Sequence, residues 1–243
     1  AKKISESLWN QSGTGRAAVM VGAGFSMNAI PIGGSTIKML NWNELVSCMR
    51  EELNLSDEYQ PDALELAELY EAEFGRQKLE QFLEKHLPDA NMSPGPLHKK
   101  LLSLPWSDVF TTNYDTLLER AADEITKYRY HTVLAIEDIP ETTQPRIVKL
   151  HGTFHKNRPL IFTEQDYLEY PIKSAAFVNL VQEAIMENSL CLIGFSGNDP
   201  NFKKWMGWVK RNLRGYQTNI YLIGVLQLSI GRRKLLEKLG VTP

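Results

Sequence analysis

Cysteine is nearly missing from this chain: Cys48 and Cys191 are the two present in 243 residues. Two thiols can build neither a tetrathiolate zinc site nor a disulfide framework. Cys191 sits in the apolar run Leu190-Cys191-Leu192-Ile193 and reads as a small buried hydrophobe, which fits a reducing cytoplasm. Long apolar runs are missing too, since none approaches the ~18 residues of a membrane span. Ala1-Lys2-Lys3-Ile4-Ser5 is charged but has no apolar signal core behind it. The first residue is not Met, so a trimmed amino terminus is expected. A charge excess is also missing. The net charge is −2, and nothing global calls for nucleic acid or an anionic membrane. What remains, 43% hydrophobic and 23% charged residues, suits a globular protein with enough chain for one large α/β domain.

Several familiar motifs are started and not finished. Gly22-Ala23-Gly24 follows the apolar run Ala17–Val21, but Met27 stands where a dinucleotide fingerprint has its third glycine. Gly33-Gly34-Ser35-Thr36 lacks the lysine of a phosphate loop. Gly194-Phe195-Ser196-Gly197-Asn198 ends in Asn where a nucleophile elbow has glycine. His151 and His155 are four residues apart without the glutamate of a zinc-protease pair.

Four junctions stand out instead, each a short apolar run that gives way to chemically capable residues. They are Gly22-Ala23-Gly24-Phe25-Ser26, Thr111-Thr112-Asn113-Tyr114-Asp115, Lys149-Leu150-His151-Gly152 and Gly194-Phe195-Ser196-Gly197-Asn198-Asp199-Pro200. Such junctions belong at the carboxyl edge of a parallel sheet, where one cleft can collect them. Strands are expected at Ala17–Val21, Ser107–Thr111, Arg146–Leu150, Leu190–Ile193 and Asn219–Gly224. Helices are expected at Ile4–Asn10, Asp115–Glu124, Ala175–Asn188, Asn201–Leu213 and Arg232–Leu239. This alternation predicts a doubly wound, Rossmann-like parallel sheet. Gly22–Leu40 reads as a loop, and 42–105 as a helical insertion capping the sheet. The core is then 14–41 with 106–243, in one domain. The chain stops at Pro243 without a tail, so further polypeptide is expected beyond it.

The residue types suggest roles. Asn113 at a strand end can hold a ribose hydroxyl or a water, and it can equally serve, like Asp115, as an Asx-turn or helix cap. His151 titrates near neutrality and can take a proton from a hydroxyl or water. Glycines at 22 and 24 let main-chain amides approach a pyrophosphate. Glu44 lies near the offset of a ribose-binding acid, but Trp42-Asn43-Glu44-Leu45 reads as a helix start. Phe202 to Arg211 mixes tryptophan with cations and reads as a helix with its tryptophans buried, or as an oligomer contact.

Taken together, the four junctions resemble the sirtuin (Sir2) family. Gly22-Ala23-Gly24-Phe25-Ser26 is similar to its NAD loop, Thr112-Asn113-Tyr114-Asp115 to its Gln-Asn-Ile-Asp segment, His151-Gly152 to its catalytic pair and Gly194-Phe195-Ser196 to its Gly-Thr-Ser turn. The Cys-x-x-Cys pairs of a zinc module and the Asp-Phe-Arg after the glycine loop are missing. Trp42-Asn43-Glu44-Leu45, the segment from Gly194 to Pro200 and the insertion resemble the bacterial Sir2-like effectors of antiphage defence. That resemblance implies an NAD+ glycohydrolase yielding nicotinamide and ADP-ribose. Asn113 and His151 would be its catalytic residues. Gly22, Ala23, Gly24, Phe25, Ser26, Thr112, Asp115, Gly194, Ser196, Asn198 and Asp199 would bind NAD+. NAD+ would be the substrate, and neither zinc nor another metal is expected. Homo-oligomerisation and activation by infection-sensing domains or subunits follow from the same resemblance, with no membrane or direct nucleic-acid partner. A protein deacylase or ADP-ribosyltransferase, and a non-catalytic NAD or ADP-ribose sensor, remain alternatives.

Overall fold

The computed structural model describes residues 2–9, 17–56, 58–154, 160–195, 199–213, 219–224 and 228–243. Nine strands are described: β1 Ala17–Val21, β2 Ile30–Pro31, β3 Met92–Ser93, β4 Asp108–Thr111, β5 His131–Val133, β6 Arg146–Lys149, β7 Ser189–Ile193, β8 Ile220–Ile223 and β9 Val241–Thr242. The helices among them are α1 Lys2–Leu8, α2 Ala23–Ser26, α3 Trp42–Glu52, α4 Ala63–Phe74, α5 Arg76–His86, α6 Pro96–Leu102, α7 Leu117–Asp123, α8 Asp138–Glu141, α9 Glu164–Lys173, α10 Ala175–Glu187, α11 Pro200–Leu213 and α12 Ile230–Lys238.

Seven strands form one sheet in the order β5-β6-β4-β1-β7-β8-β9, and every pair in it is parallel. β1 is central because all five of its side chains are apolar and buried, as a strand covered on both faces requires. The alternation of side chains sorts the sheet into two cores. Ala18, Met20, Phe110, Val148, Leu190 and Leu192 pack with Phe177, Val181, Trp205 and Val209 of α10 and α11. Ala17, Val19, Val21, Val109, Ile147 and Cys191 pack on the other face with Leu8, Leu102, Leu118 and Ala121 of α1, α6 and α7. The sheet is therefore doubly wound. From β1 the chain works outward through β4 to one side, then returns to build β7, β8 and β9 on the other. The switch lies between β1 and β7, where such sheets open a crevice beyond their carboxyl ends.

The residues between β1 and β4 form a third core. Leu45, Met49, Leu66, Tyr70, Leu79, Phe82 and Leu83 from α3, α4 and α5 pack with Tyr114, Leu160 and Phe162 from the sheet side. Each helix has a local cause. Asn41 caps α3 through Glu44 N in a reciprocal capping box, Asp62 accepts from the amides of Leu64 and Glu65 to start α4, and Pro96 opens α6. Asp89, between α5 and β3, accepts from Thr116 N at 3.0 Å and pairs with Arg120 at 2.6 Å, tying the insertion to the start of α7.

The structure departs from the sequence reading at several points. The stretch from Gly22 to Leu40 is not simply a loop. It contains α2, a 3₁₀ turn at Ile32–Gly34 and β2, which pairs antiparallel with β3 from the far end of the insertion. The helix after β4 begins at Leu117, because Asp115 sits outside it and accepts the Leu117 amide at 3.2 Å. β5, β9 and α9 were not anticipated. β5 and β9 are three- and two-residue edge strands, too short for an alternation to register. α9 contains Pro171, which reads as a breaker. Its Thr163-Asp166 capping box was the available signal.

Candidate functional site

Adjacent strands β6, β4, β1 and β7 end in His151, Asn113, Gly22 and Gly194, so the four junctions lie side by side. They open into a cleft of about 1150 Å³ whose lining includes Gly22 to Ser26, Thr112 to Asp115, His151, Gly194 and Asp199. That volume is slightly above the ~300–1,000 Å³ usual for small-molecule sites. Ser196 and Asn198, two of the expected binding residues, and His155 lie outside the described residues.

The β1 and β7 loops cross in direct contact. Gly22 N–H donates to Ile193 O at 3.0 Å and Gly24 N–H to Gly194 O at 2.9 Å. A Cβ on Gly22 would lie 2.7 Å from Gly194 O, and one on Gly194 would lie 2.3 Å from Phe25 N. Gly194 also has φ +61°, in the left-handed region that glycine tolerates. These glycines thus carry a backbone crossing, and the amides of Gly22 and Gly24 are occupied by protein carbonyls. Ala23 and Phe25 line the cleft beside them.

Ser26 belongs to a chain of hydrogen bonds running toward Asn113. Its hydroxyl donates to Asp115 Oδ2 at 2.6 Å and accepts from Asn113 Nδ2 at 2.9 Å. The direction is forced, because a carboxylate only accepts, so the serine must donate and the asparagine must offer its amide hydrogens. Asn113 Oδ1 is thereby turned away from the chain. It is buried and has no hydrogen-bond partner among the described residues. A buried acceptor without a partner costs about 1–3 kcal/mol, which points to a ligand or water that donates to it. Thr111 secures the strand end below, accepting from Asn113 N at 3.1 Å and donating to Val21 O at 3.0 Å. Tyr114, which also borders the cleft, packs its ring in the insertion core, and its hydroxyl donates to Ile161 O at 2.7 Å.

His151 is 2% exposed. Tyr167 and Tyr170 of α9 face its ring edge-on, with centroids at 5.3 and 5.6 Å, and Asn201 Nδ2 lies 3.4 Å from Nε2. Burial holds the imidazole below its usual range, while the charges of Asp199 and Asp166 oppose that shift. The neutral ring, able to accept a proton, is the form at pH 7. Asp199 is held by the Phe202 amide at 2.8 Å and the Tyr167 hydroxyl at 3.0 Å.

A titration follows from this. Followed by NMR, His151 is expected to ionise below the ordinary ~6.5, and Asp199→Asn is expected to move it lower by removing the opposing carboxylate. An upward move would contradict the assignment. The sign for stability is also fixed. His86, His98 and His151 are all held low, chiefly by burial. Their contribution is intact above the unfolded value and is lost as pH falls through and below about 6.5.

The sequence reading did not find Tyr167 or Asn201, nor the cleft wall that the insertion supplies through Asn41, Trp42, Asn43 and Asp62. Glu44 is spent on the α3 cap and on Lys38, so the acid at that offset is a structural residue. In α11, Phe202, Trp205, Met206 and Val209 are buried while Lys203, Lys204, Lys210 and Arg211 are exposed, which accounts for that mixture as an amphipathic helix. No group of three metal-capable side chains occurs among the described residues. No helix there is long and apolar enough to cross a membrane.

A parallel doubly wound sheet with a cleft at its switch point, lined by an oriented Asn and a buried neutral His, defines a class of α/β domain with its candidate site at the carboxyl ends of the strands. Comparison narrows the class: the description SIR2-like domain matches residues 107–243, and the chain belongs to that family. It is 31% identical over 209 residues to the NAD(+) hydrolase ThsA of Acinetobacter baumannii (strain 532279), covering 85% of this chain and 42% of that protein. The NAD(+) hydrolase ThsA of Enterococcus faecium is 28% identical over 233 residues, 91% of this chain and 45% of that protein. The defense-associated sirtuin 2 of Bacillus subtilis is 29% identical over 223 residues, 86% and 20% respectively. The chain thus spans less than half the length of these relatives.

Proposed function

We propose that this domain hydrolyses NAD+ to nicotinamide and ADP-ribose, and that it serves antiphage defence by depleting NAD+ in the cytoplasm. The observation that carries the reading is the buried Asn113 Oδ1, which has no hydrogen-bond partner among the described residues, at the strand end next to the one that carries a neutral His151. Relatives named as NAD+ hydrolases support the substrate.

The bond to break joins nicotinamide to C1′ of its ribose. Nicotinamide is cationic in NAD+, so it departs neutral without an acid, and positive charge passes to an oxocarbenium-like ribosyl group. Asn113 Oδ1 accepts one hydrogen of a water, or of a ribose hydroxyl, and turns the oxygen toward C1′. His151 takes the proton released as the C1′–O bond forms and passes it to solvent. One NAD+ and one water give nicotinamide, ADP-ribose and a proton. Ser26 and Asp115 hold the Asn113 amide, and Asp115 keeps lone pairs free for the nicotinamide carboxamide. The crossing of Gly22, Ala23 and Gly24 with Gly194 forms the floor under the dinucleotide. Thr112, Phe25 and Asp199 border it, and no metal has a part. Ser196 and Asn198 belong to the same proposed binding surface.

Further chain or partner subunits that sense infection, and self-assembly, are the regulators this reading calls for, because an uncontrolled NAD+ hydrolase would harm its own cell. The test is nicotinamide release from NAD+ by the natural full-length protein, with no acyl-lysine peptide present. Turnover is expected. Release that depends on such a peptide would mark a transferase, and tight binding without turnover a sensor.

A further inference from the structure

The most anomalous side chain outside the cleft is Lys149, which is 1% exposed. An unpaired buried cation costs several kcal/mol, and Lys149 has two partners. Its ammonium donates to the Asp115 main-chain carbonyl and lies 3.2 Å from Glu119 Oε1 in α7. Both Glu119 carboxylate oxygens are shut off from solvent, and burial raises that carboxyl above its usual range while Lys149 opposes the shift.

The placement is what matters. Lys149 ends β6 and pairs in register with Thr111 at the end of β4. It stands two residues before His151, and the carbonyl it holds stands two residues after Asn113. One ammonium therefore bridges the two strand ends that carry the proposed catalytic pair. Stability alone gives little reason for such a pair, because exchanging a buried ion pair for apolar residues of similar volume is often neutral, or stabilising by ~1–4 kcal/mol. An apolar pair could not donate to the Asp115 carbonyl.

We propose that Lys149 is a positioning residue of the cleft: anchored by Glu119, it fixes the Asp115 carbonyl and so holds the Asn113 amide in register with His151. This rests on the hydrolase reading for its rate measurement and on geometry for the rest.

The test is the double variant Lys149→Met/Glu119→Leu in the natural full-length protein, beside Lys149→Met alone. The single variant leaves a buried carboxylate without its cation and is expected to lose thermal stability. The double variant removes both charges and is expected to regain most of the lost Tm, short of the Asp115 carbonyl left without its donor. Its turnover of NAD+ should nevertheless stay down roughly a hundredfold, the scale of a ~1 Å misplacement, with the Kd for NAD+ little changed. A merely structural ion pair makes the opposite forecast, that rate returns with stability, and that result overturns the proposal. Where the double variant does not fold, Lys149→Arg and Lys149→Met are compared in the cold. The arginine keeps a donor and is expected to be clearly faster, and equal rates overturn the assignment.

A crystal structure of the double variant separates the two readings. If the wild-type protein releases no nicotinamide, the hydrolase reading fails. The positioning role then stands or falls on whether Asn113 Nδ2 leaves its place 2.9 Å from Ser26 Oγ. A hydrogen bond kept intact there overturns it.

Discussion

Replacing Asn113 with alanine is expected to lower NAD+ turnover about a hundred- to a thousandfold, the range seen when one preorganised polar group is removed from an active site. The fold should survive. Asn113 lies at a strand end, and the substitution deletes its bond to Ser26, worth about 1 kcal/mol, while also removing a buried acceptor that has no partner among the described residues. Stability and rate therefore part company. Near-native circular dichroism and Tm, little change in the Kd for NAD+ and a collapsed rate of nicotinamide release are the expected set. Asn113→Asp should fare no better, since it sets a second carboxylate against Ser26 and Asp115 and places like charges together. Turnover close to wild type in Asn113→Ala would remove the asparagine from the mechanism and leave its Asx-turn reading in place.

Gly194→Ala is expected to be among the most damaging single-methyl changes in the chain. Left-handed backbone costs a non-glycine residue roughly 1–2 kcal/mol, and φ at Gly194 is +61°. The larger penalty is steric. The new Cβ would meet Phe25 N at 2.3 Å and Phe25 Cα and Cβ at 2.8 Å, all close to the backbone and unable to swing aside. Either the β7 loop withdraws or the β1 loop does, and the bond from Gly24 N–H to Gly194 O goes with it. A loss of more than about 3 kcal/mol, at the top of the usual range for point mutants, is expected in urea unfolding, with NAD+ binding lost in whatever remains folded. Gly33→Ala supplies the contrast. Its φ of +68° is similar, but nothing lies within 4 Å of the added carbon, so only the conformational term applies.

Five of the seven described strands of the sheet, β1, β4, β6, β7 and β8, were legible because they are short apolar runs that end in glycine or a polar cluster, and because their order along the chain matched a doubly wound pattern. The cleft was legible for the same reason: a parallel sheet gathers its strand ends. What escaped was information held between distant segments. Glycine at 22 and 194 reads from the sequence for what a ligand would need, and the contact each makes with the other loop has no sign there. Asp115 reads from the sequence as an NAD+ contact or as an Asx-turn or helix cap, and Ser26 as an NAD+ contact, but nothing in the sequence shows that their side chains are linked to Asn113 in one chain of hydrogen bonds. Tyr167 had no chemical neighbour in sequence, and its meaning comes from Asp199 and His151 arriving from other elements. Lys149 takes no role from its motif, because a lysine at a strand end gives no sign in the sequence that it will be sealed inside.

Tyr114 carries a consequence for anyone who would trim or graft this domain. Its ring belongs to the insertion core, and the residue also borders the cleft that its neighbours Asn113 and Asp115 line. A minimal version cut down to the sheet would bare Tyr114, Leu160 and Phe162 to water and free the peptide that sets Asn113. Transplanting the four junctions alone onto another parallel sheet would reproduce the letters without the tension that aims them. The insertion and the strand ends must travel together.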